Sequence, residues 1–121
     1  MEKKQRLRKS QEFTRVYQNG KRFYNRDFKI LVVDNGLEHS RFGFSISKKY
    51  GKANKRNKTR RRLKEIIRLN INLFEKGKDY VIIPKNSTVD LDYQELEKTF
   101  LHCISISKKR KKKWTSYLFS W

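Results

Sequence analysis

The chain has 121 residues, with 32 Lys and Arg against 12 Asp and Glu and a formal net charge of +20. That length suits one domain with a single modest core, and that charge exceeds what solubility needs, so it points to a polyanionic partner, nucleic acid before acidic membrane. A single cysteine, Cys103, excludes an internal disulfide, and no apolar run approaches the ~20 residues of a membrane span.

The N-terminal stretch MEKKQRLRKS is a basic arm without the apolar centre of a secretory signal, so a cytoplasmic protein without membrane contact is expected. Ser10 is placed to cap a short helix carrying Phe13, Val16 and Tyr17, stopped at Gly20. Phe28–Val33 is apolar and β-branched, which predicts a strand, and Asp34-Asn35-Gly36 predicts a turn. Arg41–Ser47 alternates: Phe42, Phe44 and Ile46 share one face, and Gly43, Ser45 and Ser47 the other. A helix is predicted from about Ala53 to Phe74, ended by Gly77, followed by a buried strand over Tyr80–Pro84. Asp92 and Glu95 form a capping box for a last helix with Tyr93, Leu96, Phe100, Cys103 and Ile104 on one face. Residues 108–121, a block of cations and then aromatics, form a tail outside a single RNA-binding domain of residues 1–107. The order predicts a two-layer α/β sandwich with helices on one face of a small sheet.

The central helix carries the strongest signal. Lys48 to Lys64 holds 10 Lys or Arg in 17 residues and no acid. Its apolar stripe (Leu63, Ile66, Ile67, Ile71 and Phe74) begins only in the second half. A solvated helix face normally mixes in Glu at i±4, because like charges at that spacing repel. An all-cationic first half is relieved when it neutralises phosphates and releases counterions.

This stretch resembles the signature of the bacterial ribonuclease P protein subunit. The strand ends in Ser45-x-Ser47-Lys48-Lys49, Gly51 makes the turn, and the helix opens with Arg56-Asn57 followed by Arg60, Arg61 and Lys64. RLRKSQEFTRVYQNG and KGKDYVIIPKNSTVDLDYQELEKTF are similar to the family's first helix and to its last strand and helix. Asn54, Lys55 and Leu31 depart from the usual pattern, and Arg60 and Lys64 exchange the usual Lys and Arg. The resemblance implies an α-β-β-β-α-β-α order in a mostly antiparallel sheet, a further strand near Phe23–Arg26, and a left-handed βαβ crossover. It also implies a role in the enzyme that matures the 5′ end of precursor transfer RNA. There the catalyst is the RNA subunit, and Mg2+ is held mainly by RNA.

On that resemblance, Lys48, Lys49, Lys52, Arg56, Asn57, Arg60, Arg61 and Lys64 would bind the RNA subunit. Asn57 suits a hydrogen bond to a base or ribose and equally suits a plain helix surface. Arg6, Phe13, Tyr17, Lys29, Leu31, Ser45 and Ser47 would hold the single-stranded 5′ leader, with Phe13 and Tyr17 roofing a cleft over the small-residue sheet face. Core packing is the competing role for the two aromatics. No catalytic or metal-binding protein residues are expected: the acids are scattered, and adjacent His102 and Cys103 point apart on a helix. The partners implied are the ribonuclease P RNA and precursor tRNA, with no obligate protein partner. The alternative is a ribosomal or other basic RNA-binding protein without a processing role. A helix-turn-helix DNA binder is disfavoured, because no partner helix precedes the central one at short distance.

Overall fold

The computed structural model describes the backbone of residues 3–119 and the side chains of residues 3–108. The elements run α1 (Ser10–Asn19), β1 (Lys21–Tyr24), β2 (Phe28–Asp34), β3 (Arg41–Phe44), α2 (Ala53–Leu69), β4 (Lys78–Pro84) and α3 (Tyr93–Phe119), with short 3₁₀ turns between them. The sheet order is β1-β2-β4-β3. β2 pairs antiparallel with β1 and β4, and β3 pairs parallel with β4, so β3-α2-β4 is a crossover unit.

The α/β order is the one expected, but the placement of all helices on one face is not what forms. Phe28, Ile30, Phe42, Tyr80 and Ile82 pack under α2 and α3 against Leu63, Ile66, Ile67, Leu96, Phe100, Cys103 and Ile104. Leu31 and Val81 pack on the opposite side with Leu7 and Val16, so α1 covers the other face. The reason lies in the strands. Both alternation sets of β2 and β4 are apolar, and a sheet with two apolar faces needs a cover on each.

Three local features also differ from expectation. Ser10 is the first helical residue of α1, not its cap; the Glu12 carboxylate reaches back to the N–H groups of Arg8 and Lys9. α2 ends at Leu69, because the Asn70 side chain donates to the Ile66 carbonyl and a 3₁₀ turn follows. Ile71 is therefore exposed rather than part of the core stripe, while Phe74 returns to the core edge-on to Phe42 and Tyr80. Gly77, expected to end the helix, instead makes the turn into β4 at φ +76°. The Asp92–Glu95 capping box forms as predicted, with Glu95 N–H donating to Asp92 Oδ1 at 2.8 Å. The helix it opens continues across residue 108, where the tail was expected to begin; the tail's side chains from residue 109 lie outside the described residues.

A buried ion network fixes α1 on the sheet. Asp79 is fully buried at the start of β4. It accepts two hydrogen bonds from Arg41 (2.9 and 2.8 Å), one from Arg15 (2.8 Å) and one from Asn35 (2.9 Å). Arg41 also bonds Glu12. Burial pushes the Asp79 carboxyl up, and Arg41, Asn35 and Arg15 together hold it below its ordinary value.

Candidate nucleic-acid interface

α2 groups on one flank the cations that the resemblance assigns to RNA, while Lys55, Lys58 and Arg62 fall on other sides. Arg56, Asn57, Arg60, Arg61 and Lys64 fall at i, i+1, i+4, i+5 and i+8, a single side of a helix. Thr59, Leu63, Ile66 and Ile67 are buried on the adjoining side. Thr59 extends the core contact one turn further than its apolar stripe, because the Tyr50 hydroxyl hydrogen-bonds both Thr59 and Thr88 at 2.8 Å. That polar plug anchors the cationic half of the helix.

Within the flank the side chains have distinct settings. Arg56 donates to the Gly51 carbonyl at 2.6 Å and so braces the preceding turn. Asn57 Oδ1 accepts from Arg60 at 2.8 Å, which orients that guanidinium. Lys48, Lys49, Lys52 and Arg61 are exposed. Among the described residues, no carboxylate pairs with any cation of this group.

Residues that the resemblance assigns to the two surfaces meet at a notch. Arg6, Arg8, Arg60 and Lys64 rim a floor of Leu7, Phe13, Phe42, Gly43 and Phe44. Partial burial, and then the neighbouring Arg6 and Arg60, hold the Lys64 ammonium below its ordinary value. An anion in the notch would relieve that repulsion. Arg8 was not singled out in the sequence, because the arm's path beside β3 through Leu7 N–H to Phe42 O (2.9 Å) has no sequence signal.

Of the residues expected to line a leader cleft, Leu31 is closed off and the open part of the sheet face lies one row further along. Leu31 is fully buried beneath α1 and cannot touch RNA. Gly43 is also closed: a Cβ there would lie 2.5 Å from the Phe13 ring, so its small size admits α1 rather than a ligand. Leu31, Val81 and Gly43 make one row across the sheet, covered by the helix. The next row is Tyr24, Lys29 and Ile83, with Ser45 beside them through its N–H to Ile82 O at 3.0 Å. Tyr24 is exposed, and Lys29, Ile83 and Ser45 are half-buried. Arg15 ties one flank of α1 to the Asp34 carbonyl and Asp79. Phe13 and Tyr17, two residues to either side, therefore lie on the opposite flank, the one toward the Lys29–Ile83 row. Phe13 is half-buried and Tyr17 36% exposed, so core packing takes the first and leaves the second available. Ser47 is exposed just ahead of Lys48.

A protein-held pair of catalytic metal ions needs clustered, open oxygen donors, and the two buried carboxylates are already engaged. Asp79 is saturated as described, and Asp27 is occupied by Thr99, Ser87 and Arg26. Among the described residues no three of His, Cys, Asp and Glu converge. Cys103 is fully buried, and burial pushes its thiol up to about 11, which makes it a core residue rather than a nucleophile. No helix among the described residues is long and apolar enough to cross a membrane.

The fold and this charge layout define a small α/β protein with a cationic helix flank that no carboxylate pairs with among the described residues and a sheet row carrying Tyr24 and Lys29. The chain belongs to the ribonuclease P protein family: the Ribonuclease P family model matches residues 1–110. It is 50% identical over 111 residues to the ribonuclease P protein component of Finegoldia magna, covering 91% of this chain and 97% of that one. The solved RNase P protein of Thermotoga maritima superposes with a TM-score of 0.77 at 33% identity, covering 82% of this chain and 94% of that one. The RNase P protein of Staphylococcus aureus does so with a TM-score of 0.81 at 30% identity, covering 86% and 95%.

Proposed function

We propose that the chain is the protein component of a ribonuclease P ribonucleoprotein. It binds the catalytic RNA subunit through the α2 flank and the 5′ leader of precursor tRNA through the Tyr17–Lys29–Ser45 row. The observation that carries this is the cationic stretch itself, which runs from Lys48 to Lys64 without a carboxylate partner among the described residues and ends in a notch shared with Arg6 and Phe13. An RNA subunit on the flank and a leader along the sheet would thus be neighbours on one protein. The protein supplies binding and positioning; the RNA supplies the catalytic centre with its Mg2+.

The test is reconstitution with the cognate RNA subunit. If ~6–10 phosphates are contacted, affinity falls ~10³–10⁵-fold between 50 and 200 mM salt. Arg61→Ala, at an exposed position without a packing role, weakens the complex and flattens that salt slope by about one unit. A complex indifferent to salt and to Arg61 would remove the α2 assignment.

A further inference from the structure

Tyr24 is absent from every site described so far except as the end of the half-open row, and its surroundings are more specific than an edge strand requires. Its ring is 50% exposed. Lys29 Nζ, from β2, lies over the ring at 5.7 Å from its centroid, and Lys85 Nζ, from the residue after β4, at 5.9 Å. Lys85 is held in place, with Nζ donating to the Asn25 carbonyl at 2.9 Å and its own N–H to the Asp27 carbonyl at 2.8 Å.

The support beneath the ring is rigid. Asn25 Oδ1 accepts the N–H groups of Asp27 (3.0 Å) and Phe28 (2.8 Å), closing the β1–β2 turn directly after Tyr24. Asn25 Nδ2 donates to the Thr99 carbonyl at 2.8 Å, pinning that turn to α3. The one carboxylate in the turn, Asp27, is 2% exposed and spent on Thr99, Ser87 and Arg26, so it does not repel an approaching anion. Arg22 and Arg26, on the same hairpin, are exposed.

An exposed aromatic on a fixed turn, flanked by two ammonium groups, matches how single strands are held: a base on the ring and phosphates on the cations. We infer that Tyr24, Lys29 and Lys85 form a nucleotide-stacking subsite for single-stranded RNA at the β1 edge. It continues the leader path across the sheet from Ser45. The inference rests on the leader reading above and extends it. From the Ser45 strand to the Tyr24 strand is three strand spacings, about 14 Å. A leader must therefore be long enough to cross the sheet before the Tyr24 ring matters, whereas Tyr17 is met earlier and Lys29 lies at the junction of the row and the subsite.

The experiment uses the reconstituted holoenzyme and precursor tRNAs with leaders graded upward from one nucleotide. Tyr24→Ala is expected to bind short-leader precursors like wild type, then to lose about 5- to 150-fold in affinity once the leader passes a threshold length. Tyr24→Phe, which keeps the ring, restores wild-type binding; Tyr24→Leu, which keeps apolar bulk without a ring, behaves as Ala. If Tyr17→Ala and Lys29→Ala show leader dependence while Tyr24→Ala matches wild type at every length, the subsite is overturned and the leader reading stands. A Tyr24→Ala loss that is uniform over all lengths also overturns it, by making Tyr24 a structural residue. If none of the three variants responds to leader length, the leader reading fails and takes the subsite with it.

Discussion

Replacing Gly43 by Ala separates two explanations for the small residues of β3. If the row were kept small for RNA, Ala would spare the fold and weaken leader binding. The geometry predicts the reverse. The added Cβ meets Phe13 Cζ at 2.5 Å, Phe13 Cε1 at 2.8 Å and Leu7 Cβ at 3.0 Å. Leu7 cannot retreat without giving up its N–H bond to the Phe42 carbonyl. Phe13 must then leave the cluster it shares with Leu31 and Val81, or α1 must lift. Overpacking of this kind costs about 1–3 kcal/mol. At roughly 3–6 °C per kcal/mol for a chain of this length, Tm falls by roughly 3–18 °C. The assay is thermal unfolding followed by circular dichroism in a fixed buffer, with Phe13→Leu added on the Gly43→Ala background. The smaller, more flexible side chain should return part of the loss, giving a coupling energy of opposite sign to the single changes. A Gly43→Ala protein that melts with wild type would refute the close packing of α1 on β3.

Other outcomes follow from the same contacts. Asp79→Ala strands Arg41 and Arg15 over the sheet and should cost about 3–5 kcal/mol in urea unfolding, far more than loss of an exposed pair such as Glu65–Arg68. Glu12, Asp27 and Asp79 all sit below their ordinary values when folded. Their stabilisation is therefore complete above about pH 4–5 and is lost as pH falls through the lowered folded values; a urea midpoint that stays flat from about pH 5 to 2 would contradict this. Leu31→Ala should cost about 2–5 kcal/mol of stability and leave the leader-length dependence of the holoenzyme unchanged, because Leu31 is sealed beneath α1. Sulfate or phosphate should raise the melting temperature of the free protein by binding its uncompensated cations, measured as a titration against chloride at constant ionic strength.

The central helix was legible because its chemistry changes along its length: a run without acids cannot be core, and Leu63, Ile66 and Ile67 cannot be anything else. The last helix was legible through its capping box. The position of α1 was not. In FKILVV the apolar residues are continuous, so alternation assigns Leu31 to a face without saying that a helix covers it. The same gap put Leu31 on the open part of the sheet face, where the structure buries it. β1 was expected only through the family resemblance, near Phe23–Arg26, and forms over Lys21–Tyr24; KRFY is too short and too cationic to mark a strand or the face of Tyr24 by its own pattern. Asn70 broke α2 through a side-chain bond to the Ile66 carbonyl that composition does not encode. The notch formed by Arg6, Arg8, Arg60 and Lys64 joins segments more than fifty residues apart, which only the tertiary fold could bring together.

The most direct measurement compares precursor and mature tRNA binding by the cognate ribonuclease P RNA, alone and reconstituted with this protein. The prediction is that the protein raises affinity for the precursor selectively, that the preference grows with leader length, and that Lys29→Ala and Tyr17→Ala reduce it without weakening assembly with the RNA subunit. A protein that fails to bind that RNA, or that binds it yet leaves the preference for precursor unchanged, would contradict the assignment of the α2 flank and the sheet row.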